Sequence, residues 1–223
     1  MKKLILLLFV LGMWMGAAAQ YDNSIALFIA SEEAWGAGND GFQGNIRMAK
    51  QHGSEVAGTF TVKGDKFLIR AGNTEWYGDG EFVWELQHRA KRIKRRFYDP
   101  YNVPAMVFAF RFYRMDLMNE NVGLSGTPPQ VNIDVEFGSS VVQGSHRLLI
   151  NPKTLAIEKV WVQVFQDDFL EMAEIGNLQK DNATADAVFT LDEAAWQQKG
   201  YSILNLAKAG SEALPLDEQV LVR

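Results

Sequence analysis

From residue 57 onward, hydrophobic side chains recur at every second position. Phe60 and Val62 alternate with Thr59, Thr61 and Lys63, and Phe67 and Ile69 resume the alternation after Gly64-Asp65. A period of two marks a strand with one buried face, and Gly-Asp between two such runs predicts a hairpin. Trp76-Tyr77, a turn at Gly78-Asp79-Gly80 and the run 82–86 predict a second pair, followed by a strand at 92–98. Val131, Ile133, Val135 and Phe137 alternate with Asn132, Asp134 and Glu136. Runs at 146–150 and 155–165 flank Asn151-Pro152-Lys153-Thr154, residues suited to a tight turn. Runs at 169–175 and 188–191 complete about nine strand candidates. Short strands punctuated by turns predict a mainly β protein with a few helices. Its antiparallel sheet is expected to be strongly curved or nearly closed.

Two segments depart from that period. Asn102 is placed to cap a helix with Pro104 in its first turn. Met106, Val107, Phe110, Tyr113 and Arg114 then recur at helical spacing, with Phe108, Phe112 and Met115 adding apolar surface. A helix over 103–118 that is apolar around most of its circumference must be buried or cover an apolar surface. Residues 25–35 predict a short helix, and the glycine-rich stretch 36–44 reads as loop.

The start of the chain changes where the protein is expected to work. Lys2 and Lys3 precede an apolar run at 4–10, and Ala17, Ala18 and Ala19 stand just before Gln20. That order is the order of a cleavable signal peptide, and the run is too short to span a bilayer. Residues 1–19 are therefore expected to direct export to the periplasm. The mature protein is expected to be a single domain at 20–210 with a weakly patterned tail at 211–223. The sequence holds no cysteine, so disulfides and thiolate chemistry are excluded, but about 200 residues bury a core without them. With Lys2 and Lys3 removed, the net charge is about −7, which argues against a nucleic-acid partner.

The search for chemistry returns little. His52, His88 and His146 are far apart and show no metal-ligand spacing. Asp167-Asp168 reads as a turn, because adjacent strand residues face opposite ways. No catalytic constellation or cofactor motif is found, and the reading is of a protein that is not an enzyme. The strongest charge feature is Arg89, Lys91, Arg92, Lys94, Arg95 and Arg96. It reads either as a solvated hairpin with Ile93 and Phe97 turned inward or as a docking strip for anionic lipid or an acidic partner. Most of the 14 Phe, 6 Trp, 6 Tyr and 8 Met are expected in the core, while a curved sheet with an apolar helix over its mouth could enclose more apolar wall than its side chains fill; the sequence leaves a filled and a hollow core both open.

Several motifs resemble the periplasmic lipoprotein carriers of the LolA family. The strand-turn-strand Gly58-Thr59-Phe60-Thr61-Val62-Lys63-Gly64-Asp65-Lys66-Phe67 is similar to one of them, and Trp76-Tyr77-Gly78-Asp79-Gly80-Glu81-Phe82-Val83-Trp84 to another. Leu148 to Leu155, Val188-Phe189-Thr190-Leu191 and Tyr201-Ser202-Ile203-Leu204-Asn205-Leu206 extend the likeness over 57–206. The resemblance implies a half-open antiparallel β-barrel covered by helices. It implies an apolar cavity for the acyl chains of a lipoprotein carried from the inner to the outer membrane, without a cofactor. The partners it implies are acylated lipoprotein or lipid, an inner-membrane release complex and an outer-membrane receptor, with the carrier a monomer. Where the carriers have an Arg-Pro pair whose arginine bonds the lid, this chain has Gly64-Asp65, so no latch residue transfers. Trp76, Trp84, Phe108, Phe110, Phe112 and Phe165 are the candidate lining residues. The alternative is a lipid-binding or sensor module of the same fold that regulates a periplasmic partner without carrying lipoproteins.

Overall fold

The computed structural model describes residues 21–36, 38, 40–50, 55–99, 103, 104, 107, 110, 113, 122–137, 142–164 and 169–207. The expected signal peptide, the tail from 211 and the turn at Asp167-Asp168 lie outside the described residues, as do Phe108, Phe112, Phe165 and His52.

Among the described residues, twelve strands form one sheet: β1 Gly41–Lys50, β2 Val56–Lys63, β3 Lys66–Ala71, β4 Thr74–Gly78, β5 Phe82–Gln87, β6 Arg92–Phe97, β7 Val122–Ser125, β8 Gln130–Phe137, β9 Val142–Ile150, β10 Ile157–Val164, β11 Phe169–Lys180 and β12 Ser202–Asn205. Their spatial order is β12-β6-β5-β4-β3-β2-β1-β11-β10-β9-β8-β7. Neighbours pair antiparallel except β12, which returns to lie parallel to β6. The two end strands do not pair with each other, so the sheet is open, a half-open barrel. This agrees with the mainly β architecture expected from the period-two runs.

Connectivity places the cover. β6 lies beside one edge of the sheet and β7 forms the other, so the chain between them must cross from side to side. Of the helix expected at 103–118, Val107 and Phe110 have helical backbone and the rest is largely outside the described residues. Val107, Phe110 and Tyr113 fall three residues apart, and all three are buried. Before β1 comes helix α1, Ser24–Ser31, continued by a π-helical turn at Glu32–Gly36. The Asn23 side chain caps α1 by accepting from the Ala26 N–H at 2.8 Å. Ser24, Leu27, Phe28 and Ser31 form its buried stripe, and it packs on β7, β8 and β9.

The loop expected at 36–44 is corrected by β1, which sits in the middle of the sheet between β2 and β11. Two flanking ladders override the low strand propensity of glycine. Gly44 is required there, because a Cβ on it would come within 2.8 Å of the Gly176 carbonyl. The strand expected at 188–191 is also corrected. It is a 3-10 turn, Asp186–Phe189, leading to helix α2, Glu193–Gln198, which is capped by the Asp192 side chain on the Ala195 N–H at 3.0 Å. A short apolar run does not fix its own period.

The sheet carries a core on each face. The inner face, under α1 and the crossing segment, buries Phe42, Ile46, Phe60, Val62, Phe67, Ile69, Val83, Val131, Ile133, Leu148 and Val160 in one cluster. The outer face of β3–β6 buries Leu68, Tyr77, Trp84, Leu86 and Ile93 beneath Phe189 and Leu191. Polar ties secure that outer cover. Asp186 pairs with Lys63 at 3.1 Å and Lys66 at 2.5 Å. His88 bridges Tyr201 at 2.9 Å and Glu75 at 2.8 Å. Burial pushes the Glu75 carboxyl up, but hydrogen bonds from Tyr77, His88 and Arg70 outweigh it and hold its pKa below the ordinary value.

Candidate functional site

The inner face and its cover form the candidate site. Phe110 reaches down from the crossing segment and stacks on Phe42 of β1, with ring centroids 4.5 Å apart. It also stacks on Phe60 of β2 at 5.7 Å. Tyr113 adds tilted contacts to Phe42 at 6.2 Å and to Phe28 of α1 at 6.1 Å. Sheet, α1 and crossing segment therefore meet in one aromatic layer. Such ring pairs each contribute about 0.5–1.5 kcal/mol beyond burial of area.

Polar contacts tie α1, Tyr113 and Trp35 to the β9–β10 turn. The Ser31 hydroxyl donates to the Leu155 carbonyl at 2.7 Å and is hydrogen-bonded to the Tyr113 hydroxyl. With its single proton committed to Leu155, Ser31 accepts from Tyr113. Burial pushes the Tyr113 phenol up, against the opposing pull of Ser31, so it stays protonated and able to donate. The Trp35 indole N–H donates to the Thr154 carbonyl at 3.1 Å. Both acceptors lie on the β9–β10 turn, so α1, the crossing segment and that hairpin tip are joined there.

The expected lining residues separate by face. Trp76 packs on the inner cluster and Phe110 stands at its centre. Trp84, expected with them, belongs to the outer cluster, where its indole N–H donates to Glu193 at 2.7 Å. Register explains the split: Trp84 pairs with Tyr77 and Trp76 with Glu85, and directly paired residues share a face. Phe42, Phe60 and Tyr113 were not among the expected lining residues. For Phe42 the signal was available, since Phe42, Ile46 and Met48 alternate through the glycine-rich stretch.

The basic run divides in the same way. Arg89 and Lys91 are exposed in the β5–β6 turn. Ile93 is buried in the outer cluster, and Arg95 beside it lies 3.8 Å over the Phe82 ring and 3.6 Å from Glu193. Phe97, expected to turn inward, is 54% exposed and stacks on Phe82. Arg92, Lys94 and Arg96 alternate onto the inner side. Arg92 donates to Gln87 at 2.9 Å, and Lys94 lies 3.7 Å from Glu85. Burial lowers the Arg96 pKa, opposed by the nearby charges of Asp99 and Glu85.

His146 also faces inward and is 4% exposed. Burial pulls its pKa from 6.5 to about 4 against the opposing charge of Asp134, so its imidazole is neutral. Among the described residues, no group of three acidic or histidine side chains could hold a metal ion. No helix among them is long and apolar enough to cross a membrane.

No protein-family profile matches the sequence, and no curated protein matches it. Solved structures do. A LolA superfamily protein from Nitrosomonas europaea is 12% identical, with a TM-score of 0.40 over 78% of this chain and 100% of that one. An uncharacterized conserved protein from Thermus thermophilus is 8% identical, with a TM-score of 0.46 over 80% of this chain and 96% of that one. The Pseudomonas aeruginosa MucA/MucB complex matches at 14% identity and a TM-score of 0.32, over 74% of this chain and 60% of that one. LolA-superfamily structures are thus among its neighbours.

Proposed function

We propose that this protein is a periplasmic carrier that shelters the acyl chains of lipoproteins between the inner face of its open sheet and the cover of α1 and the crossing segment, for delivery from the inner to the outer membrane. The observation that carries this reading is the cover itself. It buries the aromatic side chains Phe28, Phe110 and Tyr113 against a continuous apolar sheet face. Acyl chains that take the place of those rings would keep the same apolar sheet face out of water. Each buried methylene contributes about 0.8 kcal/mol, so a single long chain offsets the separation of several ring pairs. The motifs that resemble the LolA carriers point the same way.

A second reading is a lipid-binding or sensor module that regulates a periplasmic protein partner. The observation in its favour is that Phe42, Phe60, Phe110 and Tyr113 already pack against one another beneath the cover. Gel filtration of the protein mixed with a triacylated lipoprotein and with its unacylated form separates the two readings. Co-elution of the acylated form alone is expected of the carrier. Equal capture of both forms, or of neither, would overturn it.

A further inference from the structure

At one end the sheet stops on a strand with an open outer edge. Among the described residues β12 pairs with β6 alone. The Ser202 N–H donates to the Lys91 carbonyl at 3.0 Å and the Leu206 N–H to the Arg95 carbonyl at 2.7 Å. Backbone groups alternate along a strand, so the N–H groups of 202, 204 and 206 turn to β6. The Ile203 N–H and carbonyl and the Asn205 N–H therefore turn outward. Ile203 packs on the outer cluster beside Ile93, while Ser202 and Leu204 face the other way and are exposed, Leu204 by 44%. Edges are commonly guarded by charge or proline, and the run Gly-Tyr-Ser-Ile-Leu-Asn-Leu-Ala at 200–207 has neither. Only the four-residue length of β12 limits what pairs with it.

The start of that edge is positive, although the protein as a whole carries a net charge of −5. Arg89 and Lys91 are exposed in the β5–β6 turn, against which β12 begins. Lys199, also exposed, lies 4.1 Å over the Trp196 ring, and that ring packs on His88 at 5.7 Å and Tyr201 at 4.8 Å beside the same turn. Arg92, opposite Ser202, donates to the neutral Gln87 side chain. The carboxylates around them are already engaged: Glu85 by Lys94, Glu193 by Arg95 and Glu75 by Arg70. Four cations at one end of an open edge thus have no acidic partner among the described residues.

We infer that β12 is a docking edge for an extended acidic segment of a partner protein, which adds to the sheet as a further strand and sets its carboxylates against Arg89, Lys91, Arg92 and Lys199. Main-chain bonds to Ile203 and Asn205 supply affinity, and the cations select the partner. A second copy of this chain is a poorer complement, because its own β12 brings no charge to them. The edge lies apart from the inner face, so the carrier reading stands whichever way the inference falls.

The test uses the full exported chain at low salt. Its probes are a synthetic peptide of three glutamates followed by alternating threonine and valine, and the same peptide with lysines for the glutamates. Hydrogen exchange followed by NMR reads the edge. With the glutamate peptide at about ten times its Kd, the Ile203 and Asn205 amides should slow about tenfold, while the Leu204 amide, already bonded to β6, stays slow throughout. The lysine peptide should protect neither amide, nor should the glutamate peptide N-methylated at two consecutive central residues, which blocks both its edges. Arg89→Gln and Lys91→Gln should each weaken the glutamate peptide about two- to fivefold, and Lys153→Gln in the β9–β10 turn should leave it unchanged. Equal protection by both peptides, or binding that leaves both amides fast, would overturn the inference. Slow exchange at both amides in the free monomer would show that the chain covers its own edge. Protection by dimerisation would assign the edge to a second copy, and protection by phosphatidylglycerol vesicles but not by the peptide would assign it to a membrane. Each of these three outcomes also overturns it.

Discussion

The buried neutral His146 makes a quantitative expectation about acid stability. It is 4% exposed on the inner side of β9, with Ile133 opposite on β8. Burial lowers its pKa from 6.5 to about 4, with Asp134 opposing. Above pH 6.5 the imidazole is neutral in folded and unfolded chains alike and contributes nothing to pH dependence. Between pH 6.5 and 4 the unfolded chain takes up a proton that the folded one refuses, so stability falls with pH across that window. The loss attributable to this residue is about 2 kcal/mol at pH 5 and about 3 kcal/mol by pH 4. Urea unfolding followed by tryptophan fluorescence, at pH 7.5 and pH 5.0, measures it. Carboxylates titrate in wild type and in His146→Leu alike, so the difference between their two losses isolates the histidine. The wild type should lose about 2 kcal/mol more than the variant, roughly 1 M in urea midpoint. An equal loss in both proteins would refute the buried neutral assignment.

Three further outcomes follow from the packing. Phe110→Ala removes the ring that stacks on Phe42 and Phe60 and should cost about 3–5 kcal/mol, read as a drop in urea midpoint at pH 7.5. Ser31→Ala leaves the Tyr113 hydroxyl and the Leu155 carbonyl without their shared partner; it should cost about 1–3 kcal/mol and speed hydrogen exchange in α1 more than in β2–β5. Trp84→Ala should loosen α2 and β12, seen as faster proteolysis after residue 186, while acyl uptake per folded molecule stays at the wild-type level, because Trp84 faces away from the inner surface.

How much of this was legible beforehand depended on whether a segment carried its own period. The strands at 56–63 and 130–137 alternate and stand where the alternation put them, and those at 66–71 and 82–87, apolar on both faces, were marked by the turns that flank them. β1 was misread because Gly41 and Gly44 suggest a loop, whereas the close approach of Gly176 requires glycine in a central strand. Residues 188–191 were misread because a run so short does not choose between an extended strand and a turn that drops Phe189 and Leu191 into a pocket. The two cores were not legible at all. Alternation says which residues of one strand share a face, but only pairing between strands puts Trp76 inside and Trp84 outside, or splits the basic run into an inner and an outer half. Phe110 was found because a buried helical stripe is a local pattern, while its partners Phe42 and Phe60 depend on the crossing of the chain from β6 to β7.

The most direct test of the central claim is native mass spectrometry of the protein purified from a periplasmic extract, followed by organic extraction and lipid analysis. The account predicts a population carrying extra mass that extraction resolves into acyl-bearing lipid or an acylated protein, and its loss in Phe110→Glu at wild-type secondary structure. A single apo mass, with no uptake when acylated lipoprotein or anionic lipid is added, would contradict it.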